Sequence, residues 1–191
     1  MASSSKQVIS EIIQHLQLEF EIVSRPADYF VGLLINRDRN NRYLHISQPT
    51  YINKILTRFS IQDSRPKNTP ADPGTRLTHN TAPTKKLSKQ LFPYQVAVGS
   101  LLYCMITTRP DISYAVGEVT RFSNNPEKAQ CEAINRIPAY LRGIISHSIC
   151  FKGTKNNGTL SAFSDADYAE DLISRRSTTG FLLILNAGPV A

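Results

Sequence analysis

Carboxylates are the side chains in this 191-residue sequence whose spacing first suggests chemistry. Ser164-Asp165-Ala166-Asp167 sets two acids two residues apart, which places them on one side of the chain wherever it is extended. A hard divalent cation takes oxygen donors of this kind. By pattern alone, the same tetrapeptide is a polar turn closed by Asx hydrogen bonds. Asp28, Asp38 and Asp111 stand apart from one another, before a strand, in a turn and at a helix start, so none completes a carboxylate cluster. Lys54 and Arg58 lie four residues apart on one helical face, where they serve equally as phosphate contacts or as a solvated face. Cys104, Cys131 and Cys150 are widely spaced, and His15, His45, His79 and His147 add no close pair. This fits buried thiols in a reducing compartment and not a zinc site.

The elements that must hold these residues can be read from periodicity. Ile9, Ile12, Ile13 and Leu16 predict a helix over 6–18, followed by a short extended piece at 20–23 and a break at Pro26. The apolar run 29–35 reads as one strand with a bulge or close backbone approach at Gly32. A polar turn over 37–42 and a second strand at 43–46 complete a hairpin. Ser47 is placed to cap a helix opened by Pro49, with Ile52, Ile55, Leu56 and Phe59 on its apolar stripe. Residues 61–90 carry Pro66, Pro70, Pro73 and Pro83 and read as a long irregular, mobile or linking segment. Three helical stripes fill 93–145, broken at Thr108-Arg109-Pro110-Asp111, with Pro126 opening the third. Pro138 inside the third predicts a kink or break. The period then changes. Strands are expected at 147–151 and 159–164 around an Asn157-Gly158 turn, and at 177–185 before a turn at 186–188.

Composition narrows the class. A hydrophobic content of 41% with 19% charged residues describes a globular chain of one domain or two small ones. No apolar run is long enough to span a membrane, and the first residues lack a signal-peptide core. Collagen, coiled coil and disulfide scaffold are excluded. Residues 1–144 hold 18 basic and 11 acidic side chains, a surplus of 7, whereas 145–191 hold four of each. The surplus suits a polyanionic partner and a simple solubility charge equally well.

One set of pieces in one order carries a resemblance. It runs through Tyr29-Phe30-Val31-Gly32, Ile46-Ser47-Gln48-Pro49-x-Tyr51-Ile52, Ile55-Leu56-x-x-Phe59, Thr69-Pro70, Val98-Gly99-Ser100-Leu101-Leu102-Tyr103 and Thr108-Arg109-Pro110-Asp111-Ile112. It continues in Arg121-Phe122-Ser123, Tyr140-Leu141-x-Gly143, Ser164-Asp165-x-Asp167-Tyr168-Ala169 and Arg176-Ser177-Thr178-Thr179-Gly180. The series resembles the Pol polyprotein of copia-type retrotransposons over roughly residues 2 to 189. The resemblance implies an α+β fold: a β-hairpin, a helical thumb and connection, then an incomplete RNase H-like sheet. It divides the chain into the end of a reverse transcriptase palm with its following helix (1–60), a flexible proline-rich linker (61–92), a helical thumb/connection (93–145) and truncated RNase H strands (146–191). The family's Tyr-Val-Asp-Asp turn lies just upstream of the segment matching Ala2-Ser3-Ser4-Ser5, and the chain is expected to stop inside a fold.

The same resemblance implies roles. Asp165 matches the first Mg²⁺-binding carboxylate of the nuclease fold, and its partner acids are expected beyond residue 191, so this chain is not expected to hold Mg²⁺ tightly. Lys54, Arg58, Arg109 and Arg142 become candidates for contacts to an RNA–DNA hybrid, read through backbone and shape. Arg109 is as well suited to pairing with Asp111 or capping a helix. The expectation is a non-catalytic fragment that binds nucleic acid weakly, with no membrane partner and possible association with the rest of its parent polyprotein. Its residence is intracellular, in the cytoplasm or a virus-like particle. A non-catalytic nucleic-acid-binding module and an unfolded relic are the alternatives. The sequence departs from the family at Gln130-Cys131, Pro138-Ala139, Tyr168 and Glu170. These departures question the third helix and suggest an element copy no longer held to function.

Overall fold

A computed structural model describes residues 5–78, 92–153, 158–169 and 175–191. It is α+β, with five α-helices and two antiparallel sheets among the described residues. None of these helices is long and apolar enough to cross a membrane. Helix α1 (Lys6–Glu19) has the expected stripe but buries no side chain.

The run 29–35 is two strands, not one. β1 (Tyr29–Phe30) and β2 (Leu33–Asp38) pair antiparallel, Phe30 against Leu33. The two residues between them, Val31 and Gly32, have φ of 48° and 84°, as a type I′ turn requires. The expected close approach at Gly32 is real. The Tyr103 hydroxyl donates to the Val31 carbonyl, and a Cβ on Gly32 would sit 3.9 Å from that hydroxyl oxygen.

β3 (Tyr43–Ser47) returns along β2, completing the expected hairpin. Its other edge is taken by β4 (Ile149–Lys152), with His45 opposite Cys150 and Leu44 opposite Phe151. The sheet order is therefore β1-β2-β3-β4. This corrects the expectation that 147–151 and 159–164 form a hairpin. β5 (Ser161–Ala166) pairs instead with β6 (Thr179–Leu185), which turns through Asn186 and Ala187 into β7 (Gly188–Pro189). Asn157 of the expected turn lies outside the described residues. The two sheets meet at β4 and the β6–β7 turn, where the Lys152 amide donates to the Asn186 carbonyl at 2.7 Å.

Helix α2 (Pro49–Arg58) begins at Pro49 as expected, but Gln48 and not Ser47 occupies the cap position. Its buried Ile52, Ile55 and Leu56 join Leu101 and Cys104 of α3 (Tyr94–Thr107), Val116 and Val119 of α4 (Ser113–Thr120), and Ile134, Ile137 and Leu141 of α5 (Lys128–Gly143). Each fully buried aliphatic side chain contributes roughly 1.5–3 kcal/mol, so this four-helix cluster is the stabilising centre. A single 3₁₀ turn, Pro110–Ile112, redirects the chain between α3 and α4.

Helix α5 runs continuously through Pro138, so of the expected kink or break there is no break. Pro138 is itself fully buried, so its ring packs in the core at the point where the helix lacks an amide. The helix starts on a capping box. Gln130 accepts from the Glu127 amide at 3.0 Å and donates to the Thr78 carbonyl at 2.8 Å. Gln130, one of the departures that questioned this helix, thus builds its first turn. The segment 61–78 does not behave as a free linker. Ile61 is buried, the Lys67 amide donates to the Ala139 carbonyl at 3.2 Å, and Arg136 donates to Thr69. The rest of the expected linker, 79–91, lies outside the described residues.

Candidate nucleic-acid interface

The sequence-predicted residues fall in three different settings. Lys54 and Arg58 are exposed on α2, opposite the face that buries Ile52, Ile55 and Leu56. They are the two candidates that present cationic heads to solvent, one helical turn apart on the same face.

Arg109 is committed inside the fold. Its side chain is 3% exposed, and its guanidinium makes a two-pronged pair with Asp111, Nε to Oδ1 at 2.9 Å and Nη2 to Oδ2 at 2.6 Å. Nη1 faces the Ile144 carbonyl at 3.5 Å, and the group lies 5.7 Å from the centre of the Tyr140 ring. The Tyr140 hydroxyl donates to Asp111 Oδ2 at 2.8 Å. Of the uses left open for Arg109, the geometry takes the Asp111 pair. Burial raises the Asp111 pKa, but the Arg109 hydrogen bonds and charge, with the Tyr140 hydroxyl, outweigh it and hold the carboxyl below its ordinary value. Arg142 is half-buried and donates to the Ser64 carbonyl, fixing the strap over α5. Arg109 and Arg142 thus act as internal ties.

Beside this pair lies a buried polar contact that the sequence did not reveal. Gln48 is fully buried, and the hydroxyls of Thr107 and Thr108 each lie 2.7 Å from its Oε1. The Ser-Gln-Pro and Thr-Arg-Pro-Asp segments therefore meet at the joint between α2 and α3. Neither residue type signals such a pairing at a separation of 60 residues.

Asp165 is exposed on β5, opposite Gly180, and accepts from the Ala166 amide at 2.9 Å. Asp167 accepts from the Thr178 amide at 2.9 Å, and its own amide donates to the Thr178 carbonyl at 3.1 Å, so it ties the end of β5 to the segment leading into β6 and closes no local Asx turn. Among the described residues, no three His, Cys, Asp or Glu side chains converge on a common point. This donor set does not fit Mg²⁺, which demands near-octahedral oxygen ligands and keeps several waters.

Two concavities contrast in charge. A groove of about 1140 Å³ runs between the 61–77 strap, α4 and α5. Its cations are partly neutralised, Arg121 by Glu118 at 2.8 Å and Arg136 by Asp72 at 3.6 Å. A recess of about 360 Å³ at the β2–β3 turn is lined by Arg37, Arg39, Arg42 and Lys152. In the sequence the arginines are masked by the Asp and Asn residues that mark 37–42 as a turn, and Lys152 stands more than a hundred positions away. Three arginines within six positions were the available signal.

Compared with known proteins, the chain is 36% identical over 195 residues to the retrovirus-related Pol polyprotein from transposon TNT 1-94 of Nicotiana tabacum. The match covers the whole chain but 14% of that relative. It is 36% identical over 168 residues to the Pol polyprotein from transposon RE1 of Arabidopsis thaliana, covering 85% of the chain and 11% of the relative. An uncharacterised mitochondrial protein of Arabidopsis thaliana is 31% identical over 193 residues, with 77% of its length matched. No model of a known protein family matches the chain. No solved structure matches it either.

Proposed function

The chain belongs to the family of retrovirus-related Pol polyproteins of copia-type transposons, and on that footing we propose that it is a piece of the reverse transcriptase–RNase H portion whose part is to hold an RNA–DNA hybrid. It spans about 14% and 11% of the two transposon relatives, so their activities are carried here as proposals. In this reading, residues 29–47 and the helical cluster are the primer-holding hairpin, thumb and connection. β5 and β6 are the first strands of the nuclease sheet, with Asp165 as its first carboxylate. Mg²⁺ serves the parent enzyme, and the described part of this chain lacks the set of carboxylates to bind it tightly.

The observation that carries the binding role is the exposed Lys54/Arg58 pair on α2, held rigid by a fully buried opposite face. A hybrid read through its backbone needs such fixed cations and no base-reading side chains. The separation of charge from chemistry supports a non-catalytic role. Asp111 is tied to Arg109, Asp38 accepts from Asn41, and among the described residues Asp165 belongs to no group of three converging metal-ligating side chains. Titration of the purified chain with a labelled RNA–DNA hybrid at two salt concentrations tests the reading. Micromolar affinity that falls steeply with salt is expected, with no primer extension or hybrid cleavage in Mg²⁺. No binding at low salt overturns the binding role, and measurable synthesis or cleavage overturns the non-catalytic one.

A further inference from the structure

The β2–β3 turn and β4 assemble a cationic recess from segments more than a hundred residues apart. Arg37 comes from the end of β2, Arg39 and Arg42 from the turn and Lys152 from the end of β4, and Tyr43, Phe151, Gly153 and Asn186 also line the recess. The pieces are held together by backbone bonds. The Gly153 amide donates to the Arg42 carbonyl and the Lys152 amide to the Asn186 carbonyl, both at 2.7 Å. The approach at Gly153 is close, because a Cβ there would lie 3.1 Å from the Arg42 Cβ.

Four positive groups face one acid, Asp38, for a local charge of +3. Asp38 does not pair with any of them. Its carboxylate accepts from the Asn41 amide at 3.0 Å and from the Asn41 side chain at 2.6 Å, which closes the turn. Lys152 Nζ lies 5.4 Å from the centre of the Tyr43 ring, a contact that positions the ammonium without neutralising it. The turn arginines are exposed, and no carboxylate among the described residues pairs with them. Like charges gathered on a braced turn raise the local positive potential and draw an anion to it. Guanidinium groups suit phosphate because two N–H donors meet two oxygens at once.

We propose that this recess is a phosphate-binding site that takes the sugar–phosphate backbone of a nucleic acid, a second anchoring point beside Lys54 and Arg58; it rests on the nucleic-acid reading above. Its contacts are ionic and indifferent to sequence, so they add to the salt dependence of binding and not to base preference.

The test uses the whole chain, with a short RNA–DNA hybrid and inorganic pyrophosphate as separate probes followed by amide NMR shifts. Both probes are expected to shift the amides of 37–43 and 151–153. The triple variant Arg37→Gln/Arg39→Gln/Arg42→Gln should bind the hybrid about tenfold or more weakly at low salt. It should also lower the slope of log affinity against log salt by about 2 to 3. An unchanged thermal midpoint verifies its fold, and Arg39→Lys should keep the salt slope. If the hybrid binds wild type and triple variant alike, or shifts amides elsewhere only, the recess proposal is overturned while the nucleic-acid reading stands. If the wild type binds no hybrid, that reading fails with the anchoring role. Pyrophosphate shifts at the recess then support its phosphate chemistry, and their absence overturns that too.

Discussion

Arg109 Nη2 lies 2.6 Å from Asp111 Oδ2, and the two residues are joined by a second bond between Nε and Oδ1. The pair braces the 3₁₀ turn between α3 and α4 against Tyr140 of α5. Arg109 is almost fully buried whereas the Asp111 side chain is 38% exposed, so its two halves fail differently. Asp111→Asn leaves a buried guanidinium short of its counter-charge, and a loss of about 1–3 kcal/mol in urea unfolding is expected. Arg109→Lys should also destabilise, because an ammonium cannot reproduce the fork.

The same pair sets an acid limit. Asp111 has a depressed pKa in the fold, so its contribution is present above the unfolded carboxylate value of about 4 and is lost as pH falls through the lower folded value. The urea midpoint of the wild type should fall as pH is lowered from 5 to 3. Asp111→Asn should show a shallower fall. Parallel profiles for the two proteins would count against the pair as a source of acid sensitivity.

Burial pushes the Cys104 thiol up to about 12, well above its ordinary 9. The neutral thiol is favoured in the fold. Its stabilising share is therefore intact below pH 9 and shrinks as pH rises above that value. Cys150 differs, since its Sγ lies 3.9 Å from His45 Nε2 at the β3–β4 ladder and is half-exposed. Alkylation followed by mass spectrometry at pH 8 should label Cys150 well before Cys104, which should react only on unfolding.

Pro138 is the substitution with the opposite sign. Alanine there restores a helix amide worth about 3 kcal/mol in an exposed site, less the packing lost with the buried ring. A net gain of about 1–2 kcal/mol is expected for Pro138→Ala. A lower thermal midpoint would mean that the ring packs better than the helix suffers.

Gln48→Leu keeps the volume but removes the oxygen that faces Thr107 and Thr108. Thr108 is 3% exposed, so its hydroxyl would be buried without that partner. A loss of about 1–3 kcal/mol is expected in denaturant titration. Little change would mark the contact as incidental.

The elements whose evidence is local were legible. The stripe Ile52, Ile55, Leu56 specified α2, and the hairpin 29–47 followed from apolar runs around a polar turn. The turn at Val31 and Gly32 was hidden because valine rarely adopts positive φ, so an apolar run masked it. β4 was placed correctly and paired wrongly. Strand periodicity says which residues extend, while the choice of β3 as partner is made by the helices that carry the two strands together. Of the site, Lys54 and Arg58 were legible from helical spacing. The burial of Arg109 was not, since a four-residue break gives no sign of the Tyr140 ring that covers it.

The pairing of His45 with Cys150 spans 105 positions. It makes the whole helical cluster an excursion between two neighbouring strands. Closing so long a loop costs entropy that no single ladder bond offsets, but the cost grows only with the logarithm of its length. The ladder is therefore expected to zip after the helices have packed, and its formation to report that they have. In kinetic terms, substitutions in the α2–α5 core should slow folding, whereas those in β4 should chiefly speed unfolding.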